Sequence, residues 1–183
     1  MNIYLLRADV NNYQILVFKN GEDSKVLSKM NGQSFKNNWK SFDLDPFIDD
    51  NFNKNLPKGD FPYLSNRFLI LSSKAVNCLK DLITPYGEVL PVNCDDDDYT
   101  LFNVTNVIDV LDLEKSNILY FDDGTNDVED ILGYTFIKEK VKKEIIFRIK
   151  QMPQVDIFVT DKFVEIVEKN GLKGFEFKKV WEG

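Results

Sequence analysis

The chain has 183 residues, 43% of them apolar and fifteen of them Phe, which is enough to build a packed core without a metal or a disulfide. Its 30 acidic and 23 basic residues leave a net charge of −7, and it has no histidine. The missing imidazole excludes Ser-His and Cys-His nucleophilic machinery, and two cysteines alone cannot close a tetrahedral zinc shell.

Residues 1–7 show no basic segment running into an apolar one, so no secretory signal is read there. No apolar run approaches the ~20 residues of a membrane helix, and the expectation is a cytoplasmic protein with reduced thiols at Cys78 and Cys94. Asn2–Arg7 and Tyr13–Phe18 are rich in branched and aromatic residues around turn chemistry at Asp9–Asn12, which predicts a hairpin or a pair of short strands. From Asn20 to Asp60 the chain turns polar, with six asparagines between Asn31 and Asn55. Strand fragments and one short helix are expected there, pinned by Trp39, Phe42, Leu44, Phe47 and Phe52. Phe68–Leu71 reads as a strand, followed by a helix that carries Ala75, Val76, Leu79, Leu82 and Ile83 on one face. Ser72 is placed to cap it, Pro85 and Gly87 to stop it, and Cys78 falls beside the apolar face as a small core or boundary residue.

Val89–Val92 and Tyr99–Val107 predict two strands joined by an acidic loop, and Asn117–Phe121 a third ending in an Asp122-Asp123-Gly124 turn. Ile131–Ile137 and Ile145–Lys150 are further strands, with Lys138–Lys143 read as a solvated turn between them. Thr160 or Asp161 caps a second helix with Phe163, Val164, Ile166 and Val167 on its apolar side, and Asn170-Gly171 ends it. Phe175–Trp181 is a closing strand. Runs of strands with a few separate helices argue an α+β fold, with mostly antiparallel sheets and a few packed helices in a single globular domain.

Charge is unevenly placed. Residues 86–130 hold thirteen acids against Lys115 alone, a local charge of −12, so the rest of the chain sums to +5. Asp95, Asp96, Asp97 and Asp98 run consecutively within it. A calcium loop needs ligands at alternate positions and a glycine at its sharp turn, and the run has neither. Adjacent residues of an extended segment also point to opposite faces, so the four carboxylates do not converge on one ion, and no metal or cofactor is assigned. With thirty acids a chance pair suited to glycosidase-like chemistry will occur, and nothing singles one out as catalytic. The glycines form no phosphate loop, and a segment at −12 repels a phosphate backbone, so nucleic acid is disfavoured as a partner. The Asn103-Val104-Thr105 sequon carries no meaning without secretion.

Several blocks together resemble a known family. They are Gly59–Pro62, Leu71–Ala75, Gly87–Val92, Leu101–Asp112, Phe121–Gly124, Phe158–Phe163 and Gly171–Phe177, ending at Trp181. In this order the chain resembles the immunity proteins of bacterial polymorphic toxin systems, a family first catalogued as a domain of unknown function. The likeness covers roughly residues 59–183, which would form the immunity-protein-like core, with 1–58 supplying N-terminal strands and an irregular polar segment. It implies a non-catalytic protein that binds a cognate toxin encoded nearby and neutralises it, and it assigns no functional residue.

A binding function fits the charge pattern. An acidic surface with Asp95–Asp98 and the Asp122–Asp123 turn as its candidate contact residues would steer a basic toxin, such as a nuclease, toward an aromatic patch. Two other classes remain open from the residues: a small-molecule-binding or scaffold module, and a carboxylate-dependent enzyme.

Overall fold

Ile3 and Leu5 point to one side of the first strand and Leu6 and Ala8 to the other, and this strand separates two of the molecule's hydrophobic cores. The computed structural model describes residues 1–48, 56–95 and 98–183. In chain order, β1 (Asn2–Ala8) and β2 (Leu16–Phe18) precede a 3₁₀ helix over Gly21–Lys29, then β3 (Asp43–Pro46) and β4 (Leu69–Ser72). Helix α1 (Ser73–Ile83) leads to β5 (Gly87–Pro91), β6 (Asn93–Cys94), β7 (Tyr99–Val104) and β8 (Val107–Ile108). The remainder comprises β9 (Asn117–Tyr120), β10 (Val128–Gly133), α2 (Lys138–Val141), β11 (Ile146–Ile149), β12 (Phe158–Thr160), α3 (Asp161–Lys169) and β13 (Phe175–Glu182).

A five-stranded sheet in the order β13-β1-β12-β11-β8 is antiparallel except for the parallel β11–β8 pair. One face packs Leu6, Ala8, Ile146 and Val159 against α1, α3 and residues of β4 and β7. Its other face packs Ile3, Leu5, Phe147, Ile149 and Phe158 under Val110, Leu111, Ile131 and Phe136. The antiparallel sheet β4-β7-β5 is likewise two-sided, since Leu69 and Leu71 enter the first core. Phe68, Ile70 and Leu101 turn to a third core, shared with Leu16, Met30, Phe42 and Leu44 around the small sheet β2-β3-β6. Strands buried on both faces read as continuous apolar runs rather than alternations, as Phe68–Leu71 does. The architecture is α+β, with mostly antiparallel sheets and a few packed helices.

Local chemistry accounts for the elements that hold these layers. The Ser72 hydroxyl accepts the Ala75 N–H at 3.1 Å, capping α1, and Ala75, Leu79 and Ile83 bury the face that repeats every four residues. Gly87 follows because a Cβ there would stand 2.3 Å from the Asn103 carbonyl oxygen and 2.7 Å from the Phe102 ring. Only a residue without a side chain lets β5 close on β7 at that point. Helix α3 buries Phe163 and Val167, each worth about 1.5–3 kcal/mol if fully withdrawn from water. Thr160 is its N-cap residue, but its hydroxyl donates to the Glu144 carbonyl at 3.0 Å and does not cap the helix.

Arg148 lies in the middle of this arrangement with no solvent exposure. Its Nε donates to the Val104 carbonyl at 3.0 Å, Nη1 to that of Pro153 at 3.1 Å, and Nη2 to that of Arg67. One side chain therefore joins β11 to the end of β7 and to two loops. Burial pushes the guanidinium down to about 10, still well above neutrality, so the group keeps its charge.

Several expectations are corrected. Of the two forms expected at the start, a pair of separate strands is found and not a hairpin: β2 pairs with β3, and β1 lies between β12 and β13. The pattern of Asn2–Arg7 suits any partner strand, and the partners it takes are β12 and β13. Lys138–Lys143 is not simply a turn, because Lys138–Val141 forms a helical turn that seats Val141 in the second core. Extended pairing around Ile131 covers Val128–Gly133, and Phe136 makes an isolated bridge to Leu111. Phe42 and Leu44 are buried and Trp39 packs on them, while Phe47 is 40% exposed and Phe52 lies outside the described residues. Cys78 packs at the edge of the first core, and no disulfide joins it to Cys94.

Candidate partner-binding surface

The acidic segment divides into parts that do different work. Glu88, on β5, is structural: it accepts the Phe35 N–H at 2.7 Å, the Ser34 hydroxyl at 2.7 Å and the Asn103 amide at 2.9 Å. Burial alone pushes its carboxyl up, but these donors and the Lys36 N–H hold it below the usual carboxylate range. Asn103, 1% exposed, also donates to the Gln33 carbonyl at 2.9 Å, so the sequon asparagine is an interior tie. Asp112 accepts Lys115 at 3.0 Å, an ion pair that draws its carboxyl down.

The described candidate contact residues fall at two separate places. Asp95 stands exposed in the turn after β6, where Lys19 reaches it at 3.3 Å and Asp45 at 3.5 Å. The Asp98 carbonyl accepts the Ser73 N–H at 3.0 Å at the start of α1, leaving its carboxylate exposed. Asp96 and Asp97 lie outside the described residues. Among the described residues no three Cys, Asp or Glu side chains converge as a metal-binding group.

Asp122 and Asp123 are instead at the tip of a two-stranded ribbon, β9–β10, that among the described residues pairs with no other sheet. Asp123 accepts the Thr125 hydroxyl at 2.6 Å and N–H at 3.0 Å, which lowers its carboxyl. Gly124 at φ +80° and Asn126 at φ +58° take the left-handed conformations that close this tip. Ile118, Val128 and Ile131 seat the ribbon on the second core. Leu119, Tyr120, Phe121 and Leu132 are exposed beside it, with Leu113 just before it.

Residues 109–133 hold eight acids against Lys115, a charge of −7, equal to that of the whole chain. Glu114, Asp122, Asp123, Asp127, Glu129 and Asp130 make no ion pair among the described residues. The exposed apolar side chains beside these carboxylates are what reading by charge alone missed. The signal was present in the alternation of Asn117–Phe121, where both sets of side chains are apolar and only one can face the core. No described helix is long and apolar enough to cross a membrane.

No curated protein matches the chain. Residues 92–182 match the model described as Immunity protein family (Imm11). That stretch contains the ribbon, the central strands β11 and β12, α3 and β13, and it starts after the Gly59, Leu71 and Gly87 blocks of the sequence resemblance. Over residues 92–182, just under half of its length, the chain is thus similar to the Imm11 immunity protein family.

Proposed function

We propose that this chain is a non-catalytic immunity protein that binds a cognate toxin effector in the cytoplasm of the producing cell and neutralises it by protein–protein contact. The observation that carries the reading, beside the family match, is the concentration of the chain's net charge on one segment that also exposes apolar side chains. Unpaired carboxylates on a surface raise the encounter rate with a basic protein and repel nucleic acid, while desolvated apolar contacts supply affinity. A basic toxin, such as a nuclease, is the partner this charge favours. Asp95–Asp98 and the Asp122–Asp123 turn act in steering, the former with its charge partly offset by Lys19.

The test is co-expression with the toxin encoded by the neighbouring gene. Co-purification and restored growth are expected, and independent migration with no rescue would discard the reading. In the complex, changing Asp95, Asp96, Asp97, Asp98, Asp122 and Asp123 to Asn should slow association roughly tenfold at low salt and flatten its salt dependence. An unchanged on-rate would remove the steering role.

A further inference from the structure

We infer that the partner docks on the outward face of the β9–β10 ribbon, around Leu119, Phe121 and Leu132, and that it presents an apolar groove with a basic rim. The identity of that partner as a toxin rests on the function proposed above. Alternation along the strands sends Ile118 and Ile131 into the second core, so Leu119 and Leu132, their neighbours, face out. An antiparallel sheet with one face on a core ordinarily shows polar side chains on the other. Here Leu132 is 58% exposed, Leu113 51%, Phe121 48%, Tyr120 47% and Leu119 43%. Half of the ten large apolar side chains exposed among the described residues fall in these twenty positions, and the others are spread over four places in the chain.

Charge selects the occupant. Six carboxylates of the same segment make no ion pair among the described residues, and one of them, Asp130, sits directly across from Leu119. A second copy of the chain would bring two −7 segments together, and a neutral groove would leave the carboxylates to be desolvated without a counter-charge. Seventeen of residues 109–133 are exposed, so the ribbon would supply much, though not all, of the roughly 20–30 residues one partner gives to a standard interface. The ribbon is also held in one shape, by Ile118, Val128 and Ile131 beneath and by the Asp123–Thr125 turn at the tip, so little ordering is needed on binding. The contact uses the face and not the edge: β9 spans four residues, and the pairing slips at Val128/Asp130 and Ile131/Gly133, which makes β10 a poor template for an added strand.

The experiment compares binding of the neighbour-encoded toxin, in catalytically inert form, to wild type and three variants whose folding is checked by near-UV circular dichroism. Leu119→Ser with Leu132→Ser should weaken binding at least about tenfold, chiefly through faster dissociation. Asp95→Asn with Asp98→Asn should change association alone, and Val89→Ser, an exposed apolar site elsewhere, should leave both rates as they are. Hydrogen exchange on the wild-type complex should show protection across 117–133, a readout that does not depend on any variant folding. Undiminished binding by the Leu119/Leu132 variant, or no protection of the ribbon in a complex that forms, overturns the docking site while leaving the immunity reading intact. A wild-type dimer that the same variant dissociates also overturns it, by making the face a self-contact. No complex with wild type overturns both.

Discussion

Arg148 is the largest side chain wholly removed from water, and its charge meets three backbone carbonyls with no carboxylate in ion-pair range among the described residues. A buried cation is expensive, and hydrogen bonds to each face of the guanidinium fork offset that cost. The carbonyls depend on it in turn, since Val104 would present a buried acceptor, and Pro153 and Arg67 partly buried ones, without this donor. Arg148→Met is expected to lower unfolding free energy by about 2–4 kcal/mol, read as a fall in the urea midpoint at unchanged slope. Arg148→Lys should recover little of it, because one ammonium cannot span three directions. A Met variant as stable as wild type would show that the cation is a net burden whose carbonyls find other donors.

The segments that were hardest to read as elements are held by side chains from elsewhere. The loop at residues 33–36 has no regular structure, and Glu88 of β5 together with Asn103 of β7 fixes it to the sheet edge. Because the folded carboxyl of Glu88 lies below its usual value, its stabilising contribution is complete above the unfolded carboxyl range and is lost as pH falls through the folded value. Urea midpoints measured from pH 6 down to pH 3 should therefore fall more steeply for wild type than for Glu88→Gln, which is itself expected to cost about 1–3 kcal/mol at neutral pH. Parallel curves for the two proteins would mean that the loop is held by other contacts. Helices α1 and α3 were legible because capping residues, four-residue apolar spacing and terminators agree within one short window. The Val89 and Tyr99 strands were legible from their branched and aromatic runs, although Tyr99–Val107 divides into β7 and β8, which join different sheets. Strand partners were not: nothing near Asn2–Arg7 says that its neighbours lie beyond residue 157, and no local pattern marks Arg148 as interior or Glu88 as a clamp. The acidic turns were visible as charge, but the apolar strip beside them needed the pairing of β9 with β10 to show which side faced out.

At the scale of the whole molecule, the most distant parts of the chain build the central sheet. β1 supplies Ile3 and Leu5 to one core and Leu6 and Ala8 to another, so its removal opens both. The segment matched by the family model, 92–182, also lacks β4 and α1, which complete the first core, and β5, which supplies Leu90 to the third. Residues 59–183 produced alone are expected to give no cooperative thermal transition by circular dichroism and poorly dispersed amide resonances. A sharp transition with native-like dispersion would establish that the first 58 residues are an accessory to an autonomous core. Surface charge is organised at this scale as well: outside residues 109–133 the chain is neutral overall, which concentrates its far field on the ribbon side.

The position of β1 also fixes an order of events in time. Its register partners lie 153 to 180 positions later, from Leu5 with Phe158 to Asn2 with Glu182. β1 must therefore wait, apolar on both sides, until partners more than 150 positions later are made. Closing such long loops slows folding relative to domains built from near neighbours and leaves the waiting strand open to wrong pairings. In the proposed role this wait is a vulnerable interval for the cell, in which the protein has been made and does not yet protect.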